Sequence, residues 1–255
     1  MKKRKPLNEG LAMHLLEIQN LTKSFGGLTA INKVSFHIDE GEIVGLIGPN
    51  GAGKTTLFHL LTGFLKPDSG TVKFRDEDVT GLEPHKLVNK GIARTFQVVR
   101  PFRHLPTIAN VMVALESPRG KKKIEWLKTC ERKALEMLED VGLSEMMLEP
   151  AENLSHGDLK RLEIARALAT EPDLLLLDEP FGGLSQIETE YLTKSIQRMH
   201  LDGHTMVIVE HKLHALMKLA KRVIVLHYGE KIAEGSPEEI AKNKKVIEVY
   251  MGKAT

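Results

Sequence analysis

The sequence is short of several features that would place it in a specialised class of protein. It has a single cysteine, Cys130, so an intramolecular disulfide is excluded and a reducing compartment is favoured. No apolar run approaches the ~20 residues that a helix needs to cross a bilayer. The formal net charge of +2 gives no electrostatic argument for a nucleic-acid partner. We therefore expect a globular, cytoplasmic chain that binds no nucleic acid.

Two short basic stretches stand out from this balanced composition. The chain begins MKKRK, like the basic start of a signal peptide, yet no continuous apolar segment follows it. We expect residues 1–13 to form a disordered basic tail. The stretch PRGKKK at 118–123 is typical of a solvated loop, and contact with membrane headgroups or with a partner protein is the alternative.

The segment GLIGPNGAGKTTLFHLL, residues 45–61, fits the phosphate-loop pattern G-x-x-x-x-G-K-[ST]. An apolar run at 42–48 predicts a buried strand before it, and apolar residues from Leu57 to Phe64 recur at helical spacing after it. Unpaired N–H groups at a helix start favour phosphate, Lys54 adds a positive charge, and the Thr55 hydroxyl suits Mg²⁺. We predict a nucleotide site formed by Gly48, Pro49, Asn50, Gly51, Ala52, Gly53, Lys54, Thr55 and Thr56.

The rest of the chain alternates between strand and helix patterns. Strands are predicted at 15–21, 31–38 and 70–74, then at 174–180 and 205–211, with a hairpin at 221–235. Between 98 and 153 the apolar spacing is helical and no strand pattern occurs, which indicates either a helical insert or merely peripheral helices. Ser236, Pro237 and Glu239 have the spacing of a helix cap, so one last helix is expected.

Two further stretches carry chemistry. LLLLDEP puts Asp178 and Glu179 at the end of a predicted central strand, where one carboxylate suits Mg²⁺ and the other suits a general base for water. In NLSHGDLKRLEIARAL, Ser155 precedes Asp158 by three residues, as a helix cap does, and offers a second phosphate-binding helix start. The helix at 159–169 is predicted to bury one apolar face, formed by Leu159, Leu162, Ala165 and Leu168.

This last stretch resembles the signature of the ATP-binding-cassette (ABC) ATPases, usually written L-S-G-G-Q. TFQVV then resembles the family's Q-loop with Gln97, VEHK its switch histidine with His211, and GGLS at 182–185 its D-loop. LTKSFGG resembles the A-loop, whose aromatic residue, here Phe25, stacks on adenine. The resemblance runs from about residue 14 to residue 235.

Three positions depart from the family pattern. His156 replaces the first signature glycine, Asp158 replaces the glutamine, and Ser185 stands where many members have aspartate. We expect Asp158 to cap its own helix together with Ser155 rather than to face phosphate.

The resemblance implies an α/β fold: a P-loop NTPase (RecA-like) core with an antiparallel β-subdomain and a helical subdomain, of the ABC ATPase type. The ABC ATPase domain would span 14–255, with its core at about 14–97 and 159–235. The helical subdomain would span about 98–158, and the C-terminal helix 236–252.

The resemblance also implies the ligands and the roles of individual residues. ATP and Mg²⁺ are the expected cofactors. Glu179, His211 and Gln97 are the expected catalytic residues, and Ser155 and Gly157 would grip the γ-phosphate of a nucleotide bound to another subunit. The expected ligands of Mg²⁺ are Thr55, Gln97 and Asp178.

The implied partners are those of a transporter. A second ABC ATPase subunit, identical or related, would form a head-to-tail dimer with this one, and transmembrane permease subunits would dock near Gln97. A solute-binding protein would act indirectly, and the chain would lie on the inner face of the cell membrane. The segments GIARTFQVVRPFRHLPTIANVMVAL and VIEVYMG resemble importers of branched-chain amino acids, or of urea and short amides.

Other functions stay open at this point. A lipopolysaccharide-transport-type cassette has related patterns. A soluble ABC ATPase acting on DNA or ribosomes would usually carry long coiled-coil insertions or a second cassette, and neither pattern is present. A small-molecule kinase has no use for the signature helix. A non-catalytic nucleotide sensor is the remaining alternative.

Overall fold

The structure is a computed structural model that describes residues 14–117 and 127–251. The expectations for the tail at 1–13 and for the basic stretch at 118–123 lie outside these residues. Of the helices in the described part, none is long and apolar enough to span a membrane.

The strands form two sheets. The strands are β1 (His14–Phe25), β2 (Leu28–Asp39), β3 (Ile43–Ile47), β4 (Ser69–Phe74), β5 (Glu77–Asp78), β6 (Ile92–Arg94), β7 (Leu174–Asp178), β8 (Thr205–Val209), β9 (Arg222–His227) and β10 (Glu230–Gly235). One sheet is antiparallel, with the order β2-β1-β4-β5. The other has the order β10-β9-β3-β8-β7-β6 and is parallel except for β10. An α/β core with a separate antiparallel sheet is the predicted fold class, which is thus confirmed.

The helices of the described residues lie between the strands and after the last strand. They are α1 (Lys54–Leu61), α2 (Pro84–Lys90), α3 (Thr107–Leu115), α4 (Leu127–Asp140), α5 (His156–Leu168), α6 (Gln186–Leu201), α7 (Leu213–Met217), α8 (Pro237–Lys242) and α9 (Lys244–Met251). Two short 3-10 turns, Ser144–Met146 and Ala151–Asn153, lead into α5. Between β6 and β7, the described residues contain no strand, only an isolated bridge between Pro106 and Pro150.

The central strands place the functional segments along one edge of the sheet. Every residue of β3, β7 and β8 is buried, as expected of parallel strands covered on both faces. The phosphate loop follows β3, Asp178 ends β7, and β8 separates the two strands. Since carboxyl ends of parallel strands share an edge, these segments face a common ligand space.

The prediction of a single C-terminal helix is wrong. The capping box of Ser236 and Glu239 is present and starts α8. However, Asn243 adopts an extended conformation with ψ 117°, which ends that helix. The Asn243 Oδ1 atom accepts hydrogen bonds from the N–H groups of Lys245 (3.0 Å) and Val246 (3.4 Å) and thereby starts α9. The side chain that breaks the first helix therefore caps the second.

The prediction that the helix after the phosphate loop extends to Phe64 is wrong too. Helix α1 ends at Leu61, and Gly63 turns the chain with φ +74°. Phe64 is 51 % exposed and meets the Phe96 ring edge-on at 5.6 Å between centroids. It therefore lines a surface groove instead of the core.

Helix α5 is buried on more than the single face that was predicted. Leu159 is only partly buried, whereas Lys160, Glu163 and Ala167 on other sides are buried. The reason is that α5 packs against α3 and α4 on one side and against β6 and β7 on the other. Because α5 is covered on several sides, its buried residues include charged ones and do not form a single apolar stripe.

Candidate active site

The phosphate loop is shaped by glycines that no other residue could replace. Gly48 has φ +154°, and a Cβ there would collide with the carbonyl oxygen of Leu226. Gly53 has φ +102°, and a Cβ there would lie 2.6 Å from the carbonyl oxygen of Ala30. Gly53 is the N-cap of α1, and it offers no side chain to the first N–H groups of that helix. These N–H groups are therefore available to phosphate oxygens.

Lys54 lies inside this loop. Its side chain is almost fully buried, and Nζ donates to the carbonyl oxygens of Gly48 (2.6 Å) and Pro49 (2.9 Å). Burial lowers the pKa of Lys54, while the negative charges of Glu179 and Asp178 oppose that shift. The ammonium group thus lies between the loop and the two acids at the end of β7.

Glu179 contacts both of the other residues predicted to be catalytic, Gln97 and His211. Its Oε2 accepts a hydrogen bond from Gln97 Nε2 at 3.1 Å, and its Oε1 lies 3.0 Å from His211 Nε2. Glu179 has φ +49°, an uncommon conformation for a non-glycine residue, and its N–H donates to Val209 O at 2.9 Å. Gln97, Glu179 and His211 follow β6, β7 and β8, so the order of neighbouring strands brings them together.

Asp178 is paired with an arginine that sequence reasoning missed. Arg94 Nη2 lies 2.6 Å from Asp178 Oδ2, and the side chains are only 4 % and 3 % exposed. The Asp178 N–H donates to Thr95 Oγ1 at 3.1 Å. The available signal was an arginine at the end of an otherwise apolar strand, β6, that lies beside the acid-bearing strand β7. Arg94 thus holds one carboxylate oxygen of Asp178 in place.

The predicted magnesium ligands share one cavity. Thr55, Gln97 and Asp178 line one cavity. They supply a hydroxyl, an amide and a carboxylate oxygen, which is a donor set that suits a hard cation such as Mg²⁺. The residues present therefore fit the ion.

An aromatic side chain borders the nucleotide cavity on each of two sides. Phe25, 46 % exposed at the end of β1, lines the same cavity as residues 50–56 of the phosphate loop. So does Tyr228, 80 % exposed in the turn between β9 and β10, which sequence reasoning missed. The sequence signal was the tight turn His227-Tyr228-Gly229, which holds Tyr228 at φ +45°. Gln97, Glu179 and His211 also line this cavity.

Ser155 starts α5 as expected. Its Oγ accepts a hydrogen bond from the Asp158 N–H at 3.1 Å and donates one to Asp158 Oδ2 at 2.7 Å. Asp158 also forms an ion pair with Arg161. The expectation that Asp158 belongs to the cap of its own helix is confirmed. Neither Ser155 nor Gly157 is among the residues that line the nucleotide cavity.

Two of the departures from the family pattern, His156 and Ser185, lie in two segments that pack against each other. His156 Nε2 lies 3.2 Å from the carbonyl oxygen of Gly182, and a Cβ on Gly183 would approach the His156 ring. Ser185 is the N-cap of α6 and forms a capping box with Glu188. A Cβ on Gly157 would collide with the Glu188 carboxylate. The signature start and the segment 182–188 therefore pack against each other.

Glu210 supports the loop that carries His211. Its buried carboxylate accepts hydrogen bonds from the N–H groups of Phe181 (2.6 Å), His211 (2.9 Å) and Lys212 (3.0 Å). These bonds satisfy the buried carboxylate and connect the loop after β7, which contains Phe181, to the loop after β8, which contains His211. Sequence reasoning missed this role of Glu210.

A groove runs from the site towards the helices α3 and α5. Its lining includes exposed or half-exposed apolar residues together with two arginines: Phe64, Phe96, Val98, Ala114, Arg100 and Arg166. Thr55, Gln97 and Asp178 line the inner end of the same groove. The surface groove and the proposed magnesium ligands are thus continuous.

Comparison with known proteins gives consistent matches. Residues 31–182 match the family described as ABC transporter, and residues 230–255 match the family described as branched-chain amino acid ATP-binding cassette transporter. The chain is 39 % identical over 251 residues to the high-affinity branched-chain amino acid transport ATP-binding protein BraF of Pseudomonas aeruginosa, covering 94 % of this chain and 98 % of BraF. It is 40 % identical over 255 residues to LivG of Escherichia coli, described in the same words, covering 96 % of this chain and all of LivG.

Solved structures match in the same way. A crystal structure of the ADP conformation of an ATP-binding cassette of an ABC transporter superposes with a TM-score of 0.84 and 33 % identity, over 94 % of this chain and all of that one. A dimeric bacterial ABC transporter cassette superposes with a TM-score of 0.78 and 28 % identity, over 87 % and 98 % of the two chains.

The geometry and the comparisons agree. The phosphate loop and Glu179 line one cavity, the signature helix begins with the expected cap, and the family match covers more than half of the chain. The chain therefore belongs to the ABC transporter family, as one of its ATP-binding subunits that hydrolyse ATP.

Proposed function

We propose that this chain powers the import of branched-chain amino acids, or of a related polar amino acid or amide, by hydrolysing ATP beneath transmembrane permease subunits. The observation that carries the proposal is the meeting of Gln97, Glu179 and His211 next to the phosphate loop and at the inner end of the groove. The cargo assignment draws on the relatives BraF and LivG and on the match at residues 230–255.

Nucleotide binding uses the two ends of one cavity. Phe25 stacks on the adenine, and its 46 % exposure leaves a ring face free for that contact. The backbone of residues 51–53, with Lys54 and Thr56, holds the phosphates. Mg²⁺ bound through Thr55, Gln97 and Asp178 would offset the charge of the phosphate oxygens.

Hydrolysis depends on positioning and on charge rather than on a covalent intermediate. The Glu179 carboxylate polarises the attacking water. His211 and Gln97 already contact the two oxygens of that carboxylate, so they orient it towards the nucleotide. Each of the three residues comes from a different loop. Movement of any of these loops therefore changes the position of the attacking water relative to the nucleotide.

The second half of the site comes from another subunit. Ser155 is exposed at the start of α5 but does not line its own chain's nucleotide cavity. A head-to-tail pair of cassettes, identical or related, brings Ser155 and Gly157 of one chain to the γ-phosphate held by the other. The dimeric structure of a related cassette supports this arrangement.

The groove is the docking site for a permease subunit at the inner face of the membrane. Phe64, Phe96 and Val98 are 51 %, 41 % and 68 % exposed, and such an apolar surface favours a partner helix. A short amphipathic helix with acidic residues would match both these apolar side chains and the nearby Arg100 and Arg166. Movement of such a helix would reach the nucleotide site through Gln97.

Uptake of labelled leucine tests the proposal in cells that lack this chain but retain the permease and solute-binding partners. The wild-type chain should restore ATP-dependent uptake, whereas Val98→Glu should reduce both uptake and cross-linking of the groove to the permease. Leu201→Glu, at a residue that is 85 % exposed on α6, is the matched control and should restore uptake. Restored uptake by Val98→Glu would contradict the docking site. A wild-type chain that restores uptake of neither leucine nor a polar amino acid or amide would contradict the cargo.

A further inference from the structure

Helix α5 carries two buried charged side chains, one turn apart, that take no part in its cap. Lys160 is 4 % exposed and Glu163 is 7 % exposed. Burying charged groups is costly unless hydrogen bonds compensate for the lost water. The hydrogen-bond partners of these two residues therefore indicate what they do.

Both partners of Lys160 are backbone atoms of the site. Its Nζ donates to the carbonyl oxygens of Gln97 at 3.2 Å and of Glu179 at 3.3 Å. In the described part of the chain, no carboxylate lies within ion-pair distance of this ammonium group. Lys160 thus joins two loops whose side chains also meet, through the bond from Gln97 to Glu179.

Glu163 acts on the residue before Gln97. Its Oε1 accepts a hydrogen bond from the Phe96 N–H at 2.7 Å. Phe96 lies in the Q-loop segment TFQVV, directly before Gln97, so this bond limits the movement of the Q-loop backbone. Together the two side chains hold three backbone groups: the N–H of Phe96 and the carbonyl oxygens of Gln97 and Glu179.

We propose that Lys160 and Glu163 are positioning residues that set the geometry between Gln97 and Glu179. Glu179 has φ +49°, which needs support from its surroundings, and Lys160 supplies a donor to its carbonyl oxygen. Neither side chain lines the nucleotide cavity, although Glu163 lines the adjoining groove. Both therefore act through Gln97 and Glu179, which do line that cavity.

The position of these residues on α5 has a consequence that rests on the proposed function. The same helix offers Ser155 at its start to the nucleotide of the paired subunit. A displacement of α5 on pairing is transmitted through Lys160 and Glu163 to the Q-loop and Glu179 of the helix's own site. Pairing on one side of the subunit thus adjusts hydrolysis on the other.

Four variants of the full-length chain test the proposal. Lys160→Met removes the donor but keeps the length of the stem, and Glu163→Leu removes the acceptor. Glu163→Gln keeps an acceptor oxygen for Phe96 and is the rescue variant. Lys194→Met, at an exposed lysine of α6, controls for the loss of a lysine. Thermal unfolding of each variant identifies any that does not fold.

The first measurement is amide hydrogen exchange in residues 95–98, which needs no nucleotide. Loss of one hydrogen bond should speed exchange there by about tenfold in Lys160→Met and Glu163→Leu. Glu163→Gln and Lys194→Met should stay within about twofold of the wild-type rate. Unchanged exchange in both Lys160→Met and Glu163→Leu would overturn the proposal.

The second measurement is steady-state ATP hydrolysis. Because misplacement of catalytic groups affects the chemical step, kcat should fall at least about tenfold in Lys160→Met and Glu163→Leu, while KM for ATP changes less than about twofold. A near-normal kcat together with faster amide exchange in residues 95–98 would overturn the claim that these two residues set the geometry for hydrolysis. If the wild-type chain forms no pair with ATP, the proposed function fails instead, and the exchange rates still decide whether the two residues hold the Q-loop.

Discussion

Glu179 is the residue on which the hydrolytic geometry depends, because its two carboxylate oxygens face two different loops. Replacing it with glutamine keeps the shape but removes the negative charge that polarises water. We expect Glu179→Gln to lower ATP turnover by about 10²–10⁴-fold, as is typical for a lost acid–base group, while ATP still binds. Turnover and equilibrium nucleotide binding measure this, with Glu190→Gln on α6 as the control. Near-normal turnover of Glu179→Gln would mean that another residue is the general base.

The ion pair of Arg94 and Asp178 is almost fully buried, which makes it sensitive to the loss of one partner. Arg94→Met leaves the Asp178 carboxylate without its cation, and breaking such buried pairs costs about 3–5 kcal/mol. We expect a loss of that order in the free energy of unfolding, measured with urea. Arg132→Met breaks an exposed pair with Glu136 and should change it by less than about 1 kcal/mol. Equal effects of the two substitutions would contradict this account.

Glu163 makes stability depend on pH. Burial raises its pKa from 4.5 to about 7, although the Phe96 N–H and the charges of Lys160 and Arg166 oppose the shift. Between these two pH values the folded chain keeps the proton that the unfolded chain loses, so this carboxyl contributes less stability as the pH rises.

Glu163→Gln has no proton to lose, so it should gain stability relative to the wild type between pH 4.5 and pH 7. The 2.5-unit difference corresponds to roughly 3 kcal/mol, measured as the free energy of unfolding across this range. If the difference in the free energy of unfolding between the two proteins did not change with pH, burial would not shift the pKa of Glu163.

At the scale of secondary structure, the start of α6 shows how a departure from a family pattern is accommodated. Ser185 accepts from the Glu188 N–H, and Glu188 accepts from the Ser185 N–H at 2.8 Å, so both groups serve as a helix cap. The Glu188 carboxylate also lies against Gly157 at the start of α5. The capping residue therefore fixes the contact between two helix starts.

Aspartate is the residue that many family members carry at position 185, and it is also a good N-cap. We expect Ser185→Ala to lower the free energy of unfolding by about 1 kcal/mol and Ser185→Asp to change it by less than about 0.5 kcal/mol. Urea unfolding of the three proteins measures this. If Ser185→Asp were as destabilising as Ser185→Ala, like-charge repulsion with Glu188 would outweigh the cap.

At the scale of the whole molecule, the exposed start of the signature helix is not part of the lining of its own chain's nucleotide cavity. Under the proposed function, a second subunit completes the site. ATP that is not hydrolysed should hold two chains together. We expect Glu179→Gln with ATP to form a pair, measured by light scattering.

Adding Ser155→Arg to that variant should abolish pairing, because a long side chain would occupy the interface. Ser69→Arg, at an exposed serine of the antiparallel sheet, should leave pairing unchanged. A pair that survives Ser155→Arg would contradict the head-to-tail arrangement.

Much of this protein follows from local sequence. Strand β3, the glycines of the phosphate loop and helix α1 form a contiguous unit, so the spacing of a few residues was enough to predict them. The hairpin of β9 and β10 and the caps at Ser155 and Ser236 were predictable for the same reason. Hydrogen bonds between near neighbours and the conformational preferences of glycine do not depend on distant contacts.

What only the tertiary structure decided are the contacts between distant residues. Arg94 and Asp178 are 84 positions apart, and Gln97 and Glu179 are 82 apart, so strand order brings them together. The exposure of Phe64 depends on how α1 ends beside the Q-loop. Likewise Lys160 and Glu163 occupy positions that resemble a solvated helix face until α5 packs between helices and sheet. Periodicity records which residues share a face of one element, but not which other element covers that face.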